Sequence, residues 1–271
     1  MGRVIAIANQ KGGVGKTTTA VNLSSAVSQL GRKVLVVDVD PQGNTSSGLG
    51  IDKHGLEASL YDVFAGIFQL SSVIVGTDLP SLWLAPSNMD LVGAELELSN
   101  RAARESVLRE QLHRLRNQFD YVILDCPPSL GLLTVNALVA ADSVLVPLQC
   151  EYYALEGISS LMHTVELVRG ELNPDLELEG VVLTMYDSRT NLARQVGDEA
   201  RQFFGEKVFR TVIPRNVRLS ECPSFGQPII LYDELSPGAV AYLNLAKELE
   251  TRTKGRGGRE NDSQQKLAAN Q

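Results

Sequence analysis

The sequence is poor in cysteine and in aromatic residues. Cysteine occurs three times, at Cys126, Cys150 and Cys222, without a CxxC pair, and aromatic residues make up 6% of the 271 positions. An odd number of widely spaced thiols argues against a disulfide framework or a structural zinc site and indicates a reducing compartment such as the cytoplasm. Because aromatic rings are few, the core must consist mainly of Val, Leu, Ile and Ala.

Long apolar runs and an excess of positive charge are also missing. No segment approaches the roughly 20 apolar residues that span a bilayer, and the first residues lack the pattern of a secretion signal. The 32 acidic side chains outnumber the 25 basic ones, which gives a net charge of −7. A protein of this charge does not coat nucleic acid through its overall charge, so any DNA contact requires a local basic patch. We therefore expect a soluble protein without membrane contact.

Short apolar runs alternate with longer helical patterns along the chain. Runs that are apolar on both faces are typical of parallel strands covered by helices on both sides. The sequence therefore predicts an α/β fold of three layers, with a mostly parallel β-sheet between helices. The predicted strands are residues 4–8, 34–38, 82–85, 121–125, 144–148 and 181–185. The predicted helices are residues 17–30, 101–117, 132–140, 155–172 and 192–204.

The end of the chain differs in composition from the rest. A last helix is predicted to begin after Ser236, a good N-cap, with Pro237 at its first position. Residues 251–271 are rich in Gly, Arg, Asn and Gln and have little apolar content, which predicts a disordered tail. No linker divides the remainder, so residues 1–250 are expected to form one domain.

A glycine-rich segment lies between the first predicted strand and the first predicted helix. Residues 10–18 read QKGGVGKTT. In this context the glycines let backbone amides approach phosphate oxygens, and the helix N-terminus adds a partial positive charge. The pattern predicts a phosphate-binding loop in which Lys16 contacts the β- and γ-phosphates and Thr17 binds Mg²⁺. The predicted nucleotide-binding residues of the loop are Lys11, Gly12, Gly13, Val14, Gly15, Lys16, Thr17 and Thr18.

Three aspartates follow buried strands. Asp38 ends the second predicted strand and Asp40 follows two residues later, and Asp125 ends the strand at residues 121–125. The carboxyl ends of parallel strands form the edge where α/β proteins bind ligands. We expect Asp125 and Asp38 to hold Mg²⁺ through water, and Asp40 to orient or deprotonate the attacking water. The alternative is that Asp38 or Asp40 only caps a helix or binds loop amides.

The phosphate loop departs from the common GxxxxGK[ST] pattern, because Gln10 stands at the first glycine and Lys11 is an additional lysine. With this early lysine, the loop resembles the deviant Walker A signature of the ParA/MinD group of P-loop ATPases. The resemblance extends to residues 40–44, 125–130, 149–157 and 212–221, where it is to the ParA/Soj chromosome-partitioning ATPases. It implies that Lys11 contacts the partner's phosphates in an ATP-bound homodimer, so that Lys11, Lys16 and Asp40 are the catalytic residues. The alternative is that Lys11 serves its own nucleotide.

The same resemblance implies the base and the partners. It places Met185, Pro214 and Asn216 beside adenine and therefore implies ATP with Mg²⁺. It also implies nonspecific binding of double-stranded DNA in the ATP state, a ParB-type partner that stimulates slow hydrolysis, and a location in the cytoplasm on the nucleoid. The DNA-binding residues that it implies are Arg189, Arg215 and Arg218.

Two observations bear on these implied partners. Residues 187–218 contain seven basic and four acidic residues, although a cluster of this kind can also be an ordinary solvated face. A MinD-like membrane-positioning ATPase is an alternative, but residues 254–259 are interrupted by glycine and lack an apolar face. A nucleoid-based positioner of another cargo remains a further alternative.

Overall fold

A computed structural model describes residues 2–98, 101–151 and 154–268 of the chain. Within these residues, seven strands form one sheet in the order β3-β4-β2-β5-β1-β6-β7. All neighbouring strands are parallel except β3, which is antiparallel to β4. The strands are β1 Arg3–Ile7, β2 Val34–Asp38, β3 Val75–Gly76, β4 Leu82–Ala85, β5 Tyr121–Asp125, β6 Ser143–Gln149 and β7 Glu177–Thr184.

Helices cover both faces of this sheet. Side chains alternate along β1, so that Ile5 and Ile7 lie in one apolar core while Val4 and Ala6 lie in the other. The helices are α1 Lys16–Gln29, α2 Asn44–Gly48, α3 Leu60–Phe64, α4 Leu70–Val73, α5 Leu91–Leu98, α6 Val107–His113, α7 Leu132–Ala140, α8 Ala154–Glu171, α9 Asn191–Phe204, α10 Val217–Glu221, α11 Ile229–Tyr232 and α12 Pro237–Ala268. Helices α1, α11 and α12 pack on the first core, and α3 to α9 pack on the second. The predicted three-layer α/β fold is confirmed.

The six predicted strands are all present, and the short antiparallel β3 was not predicted. The helix predicted at residues 101–117 is interrupted: 3₁₀ turns at Arg104–Ser106 and Arg116–Gln118 flank α6. The second turn anchors the first strand, because Arg116 accepts a hydrogen bond from the Gly2 amide through its carbonyl and donates to the Gly2 carbonyl through its guanidinium. A regular helix would not leave the Arg116 carbonyl free for this contact.

Helix α12 begins as predicted but extends beyond the predicted domain boundary. The Ser236 hydroxyl caps it by accepting a hydrogen bond from the Ala239 amide at 3.1 Å. The helix continues to Ala268, whereas we predicted disorder from residue 251. Composition was misleading here because Arg252 is packed: its guanidinium lies 3.9 Å from the centre of the Phe209 ring and donates to the Val208 carbonyl. The packed domain therefore includes at least residues 251–254, and residues 269–271 of the predicted tail lie outside the described residues.

No helix in the described part of the chain is both long enough and apolar enough to cross a bilayer.

The Glu248 carboxylate joins α12 to the segment after β7. It accepts hydrogen bonds from the Arg210 and Thr211 amides, each at 2.9 Å, and from the Thr211 hydroxyl and the Arg252 guanidinium, each at 2.8 Å. Burial raises the pKa of Glu248, but these hydrogen bonds outweigh the effect and hold the pKa below its ordinary value. The stabilisation is therefore present above the unfolded carboxyl pKa of about 4.3 and is lost as the pH falls through the lower folded pKa.

We expect Glu248→Ala to lower the free energy of unfolding at pH 7 by about 1–3 kcal/mol, because two backbone amides lose their acceptor. Urea unfolding at pH 7 and at pH 3 measures the effect, which should shrink at the lower pH. Glu199→Ala, on the exposed face of α9, is the matched control, since Glu199 contacts Gln195 alone in the described hydrogen bonds. Equal losses in the two variants would contradict the assigned role of Glu248.

Candidate functional site

The predicted phosphate loop connects β1 to α1 at the carboxyl edge of the sheet. Gly13 and Gly15 have φ values of 74° and 90°, which glycine adopts without the strain that a Cβ would cause. A Cβ placed on Gly12 or Gly13 would meet no atom within 4 Å, so the space above the loop is open. The first turn of α1 contains no acidic residue. Open space, backbone amides and an uncompensated helix N-terminus are the features of an anion site.

Asn9 fixes this loop to the neighbouring strand. Its side-chain amide donates to the Pro147 carbonyl of β6 at 2.7 Å, and its Oδ1 accepts from the Lys11 amide at 3.0 Å. The side chain is almost completely buried. Sequence reasoning missed Asn9, although a polar residue directly after an apolar strand and before a glycine-rich turn is a usable signal.

The two lysines of the loop are held in different ways. Lys16 is buried, and its Nζ donates to the Lys11 carbonyl at 3.1 Å. Burial lowers the pKa of Lys16, while the charges of Asp125 and Asp40 oppose the shift. Lys11 is one-third exposed, and its Nζ lies 3.0 Å from Oε2 of Glu151. Lys16 therefore occupies the inside of the loop, and Lys11 lies at its outer side.

Asp125 is the acidic centre of the site. Its Oδ2 accepts hydrogen bonds from the Thr17 hydroxyl at 2.8 Å and the Thr45 hydroxyl at 2.7 Å. Its Oδ1 is buried and has no hydrogen-bond partner among the described residues. Burial raises the pKa of Asp125 to about 6. A buried carboxylate oxygen without a donor, beside a threonine hydroxyl, fits the oxygen ligands of Mg²⁺, so Thr17 and Asp125 could hold this ion. Sequence reasoning missed Thr45.

Asp38 lies beside Asp125, because the two residues are register partners on β2 and β5. Its Oδ2 accepts from the Ser46 amide at 2.8 Å and the Ser46 hydroxyl at 2.7 Å, and its Oδ1 accepts from the Asp40 amide. Burial and the nearby charge of Asp125 raise the pKa of Asp38 to about 8. These contacts correspond to the alternative stated for Asp38: it binds loop amides and fixes the segment between β2 and α2. The contacts provide no support for the predicted metal role.

Asp40 lies two residues after β2, at the same carboxyl edge of the sheet. It is buried, and its Oδ1 accepts from the Gln42 amide at 2.9 Å. Its charge acts on Lys16 and on Asp125, whose pKa values it raises. The structure thus brings Asp40 together with the phosphate loop, as the sequence predicted.

A cavity of about 280 Å³ adjoins the phosphate loop and contains all three residues predicted to contact the base. Met185 adopts a positive φ of 49° at the end of β7, and the Tyr186 amide that follows donates to the Ile213 carbonyl at 3.0 Å. Asn216 caps α10 by accepting from the Arg218 amide at 2.8 Å. The lining residues are Gly15, Thr18, Thr184, Met185, Ile213, Pro214, Arg215, Asn216, Val217, Leu219, Ser220 and Tyr242. Tyr242 was not predicted.

Of the three arginines predicted to bind DNA, Arg189 lies in the loop after β7, Arg215 lies just before α10, and Arg218 lies in the first turn of α10. The Arg189 side chain is 87% exposed, and its guanidinium donates twice to Asp187. These hydrogen bonds, with a further contribution from the charge of Arg215, lower the pKa of Asp187 to about 2. Arg218 donates to Glu221 at 2.9 Å and lies 3.5 Å from Asp233. All three arginines are exposed, but Arg189 and Arg218 have acidic partners in the same chain.

Replacement of Asp125 by asparagine tests whether its carboxylate is a cation site. Because burial raises its pKa, folding binds an extra proton, and the carboxylate lowers the free energy of unfolding as the pH rises from about 4 to about 6. Asp125→Asn should therefore raise this free energy at pH 8 in the absence of Mg²⁺ by about 1–3 kcal/mol and abolish any stabilisation by Mg²⁺ with ADP. Urea unfolding measures both quantities. Asp175→Asn, in an exposed loop, should change neither. A destabilised variant that still responded to Mg²⁺ would contradict this assignment.

The chain is similar to known proteins over most of its length. Residues 2–178 match the model of a family described as an AAA domain. The chain is 55% identical to the chromosome partitioning protein ParA of Myxococcus xanthus over 93% of its length and 89% of that protein. It is also 55% identical to the sporulation initiation inhibitor protein Soj of Bacillus subtilis over 92% of its length and 98% of that protein.

Solved structures have the same fold. A cobyrinic acid a,c-diamide synthase from Mycobacterium smegmatis, with bound ADP and magnesium, is 42% identical with a TM-score of 0.83 over 94% of this chain and 96% of that one. The septum site-determining protein MinD of Pyrococcus horikoshii, complexed with Mg-ADP, is 27% identical with a TM-score of 0.77 over 92% of this chain and 96% of that one. The resemblance stated from the motifs is thus confirmed over most of the chain, which belongs to the ParA/Soj family of P-loop ATPases and is an ATP hydrolase of the type that uses ATP and Mg²⁺.

Proposed function

We propose that this ATPase is a dimerising switch that binds DNA nonspecifically in its ATP state and drives chromosome or plasmid partition with a ParB-type partner. The observation that carries the proposal is the different placement of the two lysines. Lys16 is buried and donates to the Lys11 carbonyl inside the phosphate loop, whereas the Lys11 amine is one-third exposed and pairs with Glu151. A cation placed outside its own phosphate loop is suited to a nucleotide bound by a second subunit, in the manner of an arginine finger.

Different residues of the site would have different roles in hydrolysis. The loop amides and Lys16 would bind the β- and γ-phosphates, and Thr17 and Asp125 would hold Mg²⁺. That ion neutralises the charge that develops on the transferred phosphoryl group. Asp40 would orient the attacking water or accept its proton, and Lys11 of the partner subunit would add the last positive charge. Met185, Pro214 and Asn216 would surround adenine in the adjoining cavity.

Sequence identity favours chromosome partition over the functions of other similar proteins. The solved relative at 42% identity is described as a cobyrinic acid a,c-diamide synthase, so descriptions differ among similar proteins. Identity is higher, at 54–55%, to proteins described as ParA or Soj over more than nine-tenths of this chain. We place the protein in the cytoplasm on the nucleoid, where Arg189, Arg215 and Arg218 from two subunits would contact DNA phosphates together.

A dimerisation assay tests the role of Lys11. In an Asp40→Ala background, which should slow hydrolysis and let the ATP state accumulate, we expect a dimer with ATP and a monomer with ADP in size-exclusion chromatography with light scattering. Adding Lys11→Ala should leave a monomer with both nucleotides, because the triphosphate charge is no longer neutralised across the interface. Lys247→Ala, on the exposed side of α12, is the control and should still dimerise. A normal ATP dimer without Lys11 would reject the trans-acting lysine.

DNA retention in each nucleotide state tests the switch itself. We expect binding of a random-sequence duplex to be at least about tenfold tighter with a slowly hydrolysed ATP analogue than with ADP or no nucleotide, since a ligand can shift an equilibrium only by its differential affinity. The Kd should rise with salt, as for any contact that releases counterions from phosphates. Fluorescence anisotropy at several salt concentrations measures both effects. Equal retention in all three states would reject the switch.

A further inference from the structure

We propose that two acidic residues, Asp187 and Glu221, compete with DNA phosphates for the arginines of this surface and so set the strength of DNA binding. This inference rests on the proposed DNA-binding role of Arg189 and Arg218. The two carboxylates occupy the positions that phosphate oxygens would take on each guanidinium. Neither residue has a role in the nucleotide site described above.

The geometry of the Arg189 pair is that of an anion complex. The Nε and Nη2 atoms of Arg189 donate to the two carboxylate oxygens of Asp187 at 2.9 and 2.7 Å. This is the bidentate arrangement with which guanidinium groups also bind phosphate. An incoming phosphate must therefore displace Asp187 or share the guanidinium with it, because the paired edge of Arg189 is already used.

Arg218 is held by a larger set of groups. Its Nη1 donates to Oε2 of Glu221 at 2.9 Å, and its Nε lies 3.5 Å from Oδ2 of Asp233. The Tyr232 hydroxyl donates to the same Glu221 oxygen at 3.3 Å and so helps to position the carboxylate. Because Asp233 and Tyr232 belong to the segment of α11, the contact joins α10 to the following helix. The positive charge of Arg218 is thus already compensated in the protein without DNA.

The exposure of the Arg218–Glu221 pair allows an exchange of partners. The side chain of Arg218 is 54% exposed and that of Glu221 40% exposed. An ion pair this accessible to water is weak, so a phosphate can replace the carboxylate at little cost, but the gain per arginine is correspondingly small. One subunit would then bind DNA poorly, and two subunits that present their arginines together would bind it well. The competing acids would in this way sharpen the dependence of DNA binding on dimerisation.

Glu221→Gln is the informative variant, because glutamine keeps an oxygen that can accept the Tyr232 hydroxyl but removes the charge. In the presence of a slowly hydrolysed ATP analogue, we expect a tighter Kd for a random-sequence duplex, by about threefold for each subunit and about tenfold for a dimer. Fluorescence anisotropy in a salt titration measures the Kd, and thermal unfolding checks that the variant is folded.

Two further variants separate competition from a general effect of charge. Glu166→Gln removes the same charge from another pair with i,i+3 spacing, Arg169–Glu166 on α8, and should leave the Kd unchanged. In an Arg218→Ala background, Glu221→Gln should change the Kd by less than about twofold, since the competing site is gone.

The outcomes distinguish this inference from the function on which it rests. If Arg218→Ala weakens DNA binding but Glu221→Gln leaves the Kd of the parent protein unchanged, the competition is wrong and the DNA-binding role stands. If Glu221→Gln tightens binding equally with and without Arg218, its effect is one of net charge and the competition is again wrong. If Arg218→Ala binds DNA as well as the parent protein does, the proposed role of Arg218 fails, and the inference for Glu221 fails with it.

Discussion

The structure depends on one electrostatic constraint, the placement of two buried carboxylates at adjacent strand ends. Asp38 and Asp125 are register partners on β2 and β5, and burial raises the pKa of both. Like charges in a desolvated position are unfavourable unless hydrogen bonds or cations compensate them. The surrounding residues supply part of this compensation through hydrogen bonds, which link the phosphate loop to the loop after β2, although the pKa values of both carboxylates stay raised.

The compensation links elements that are far apart in the sequence. The Thr17 and Thr45 hydroxyls both donate to Asp125, which connects the start of α1 to α2. The Ser46 hydroxyl donates to Asp38 and accepts from the Ser87 amide, which extends the connection to the loop after β4. Asp125 is thus joined directly to the starts of α1 and α2, and its register partner Asp38 is joined through Ser46 to the loop after β4.

Sequence patterns determine most of the sheet and the phosphate loop, because both depend on local signals. Apolar runs that end in aspartate predicted both ends of β2 and of β5 correctly. Glycines between a strand and a helix predicted the position of the phosphate loop. The hydrogen-bond and packing partners of individual side chains could not be predicted from local sequence patterns. Whether Asp38 meets a cation or the Ser46 amide depends on how the chain turns after residue 40, and the packing of Arg252 on Phe209 depends on a contact between segments more than 40 residues apart. The composition of residues 251–271 therefore led to the prediction that Arg252 lies in a disordered tail.

The candidate cation site at Asp125 and the candidate DNA-binding arginines differ in how far their charges are buried. At Asp125 the cost of desolvation is already included in the folded state, and one buried oxygen has no donor within the described residues, so a divalent cation would gain strongly from binding there. At Arg218 both members of the ion pair remain partly exposed, so a phosphate that replaced Glu221 would gain little from the exchange. Under the proposed function, a strong site for the nucleotide and its cation beside weak sites for DNA is the combination that a reversible switch requires, because DNA would have to be released whenever the state of the nucleotide changes.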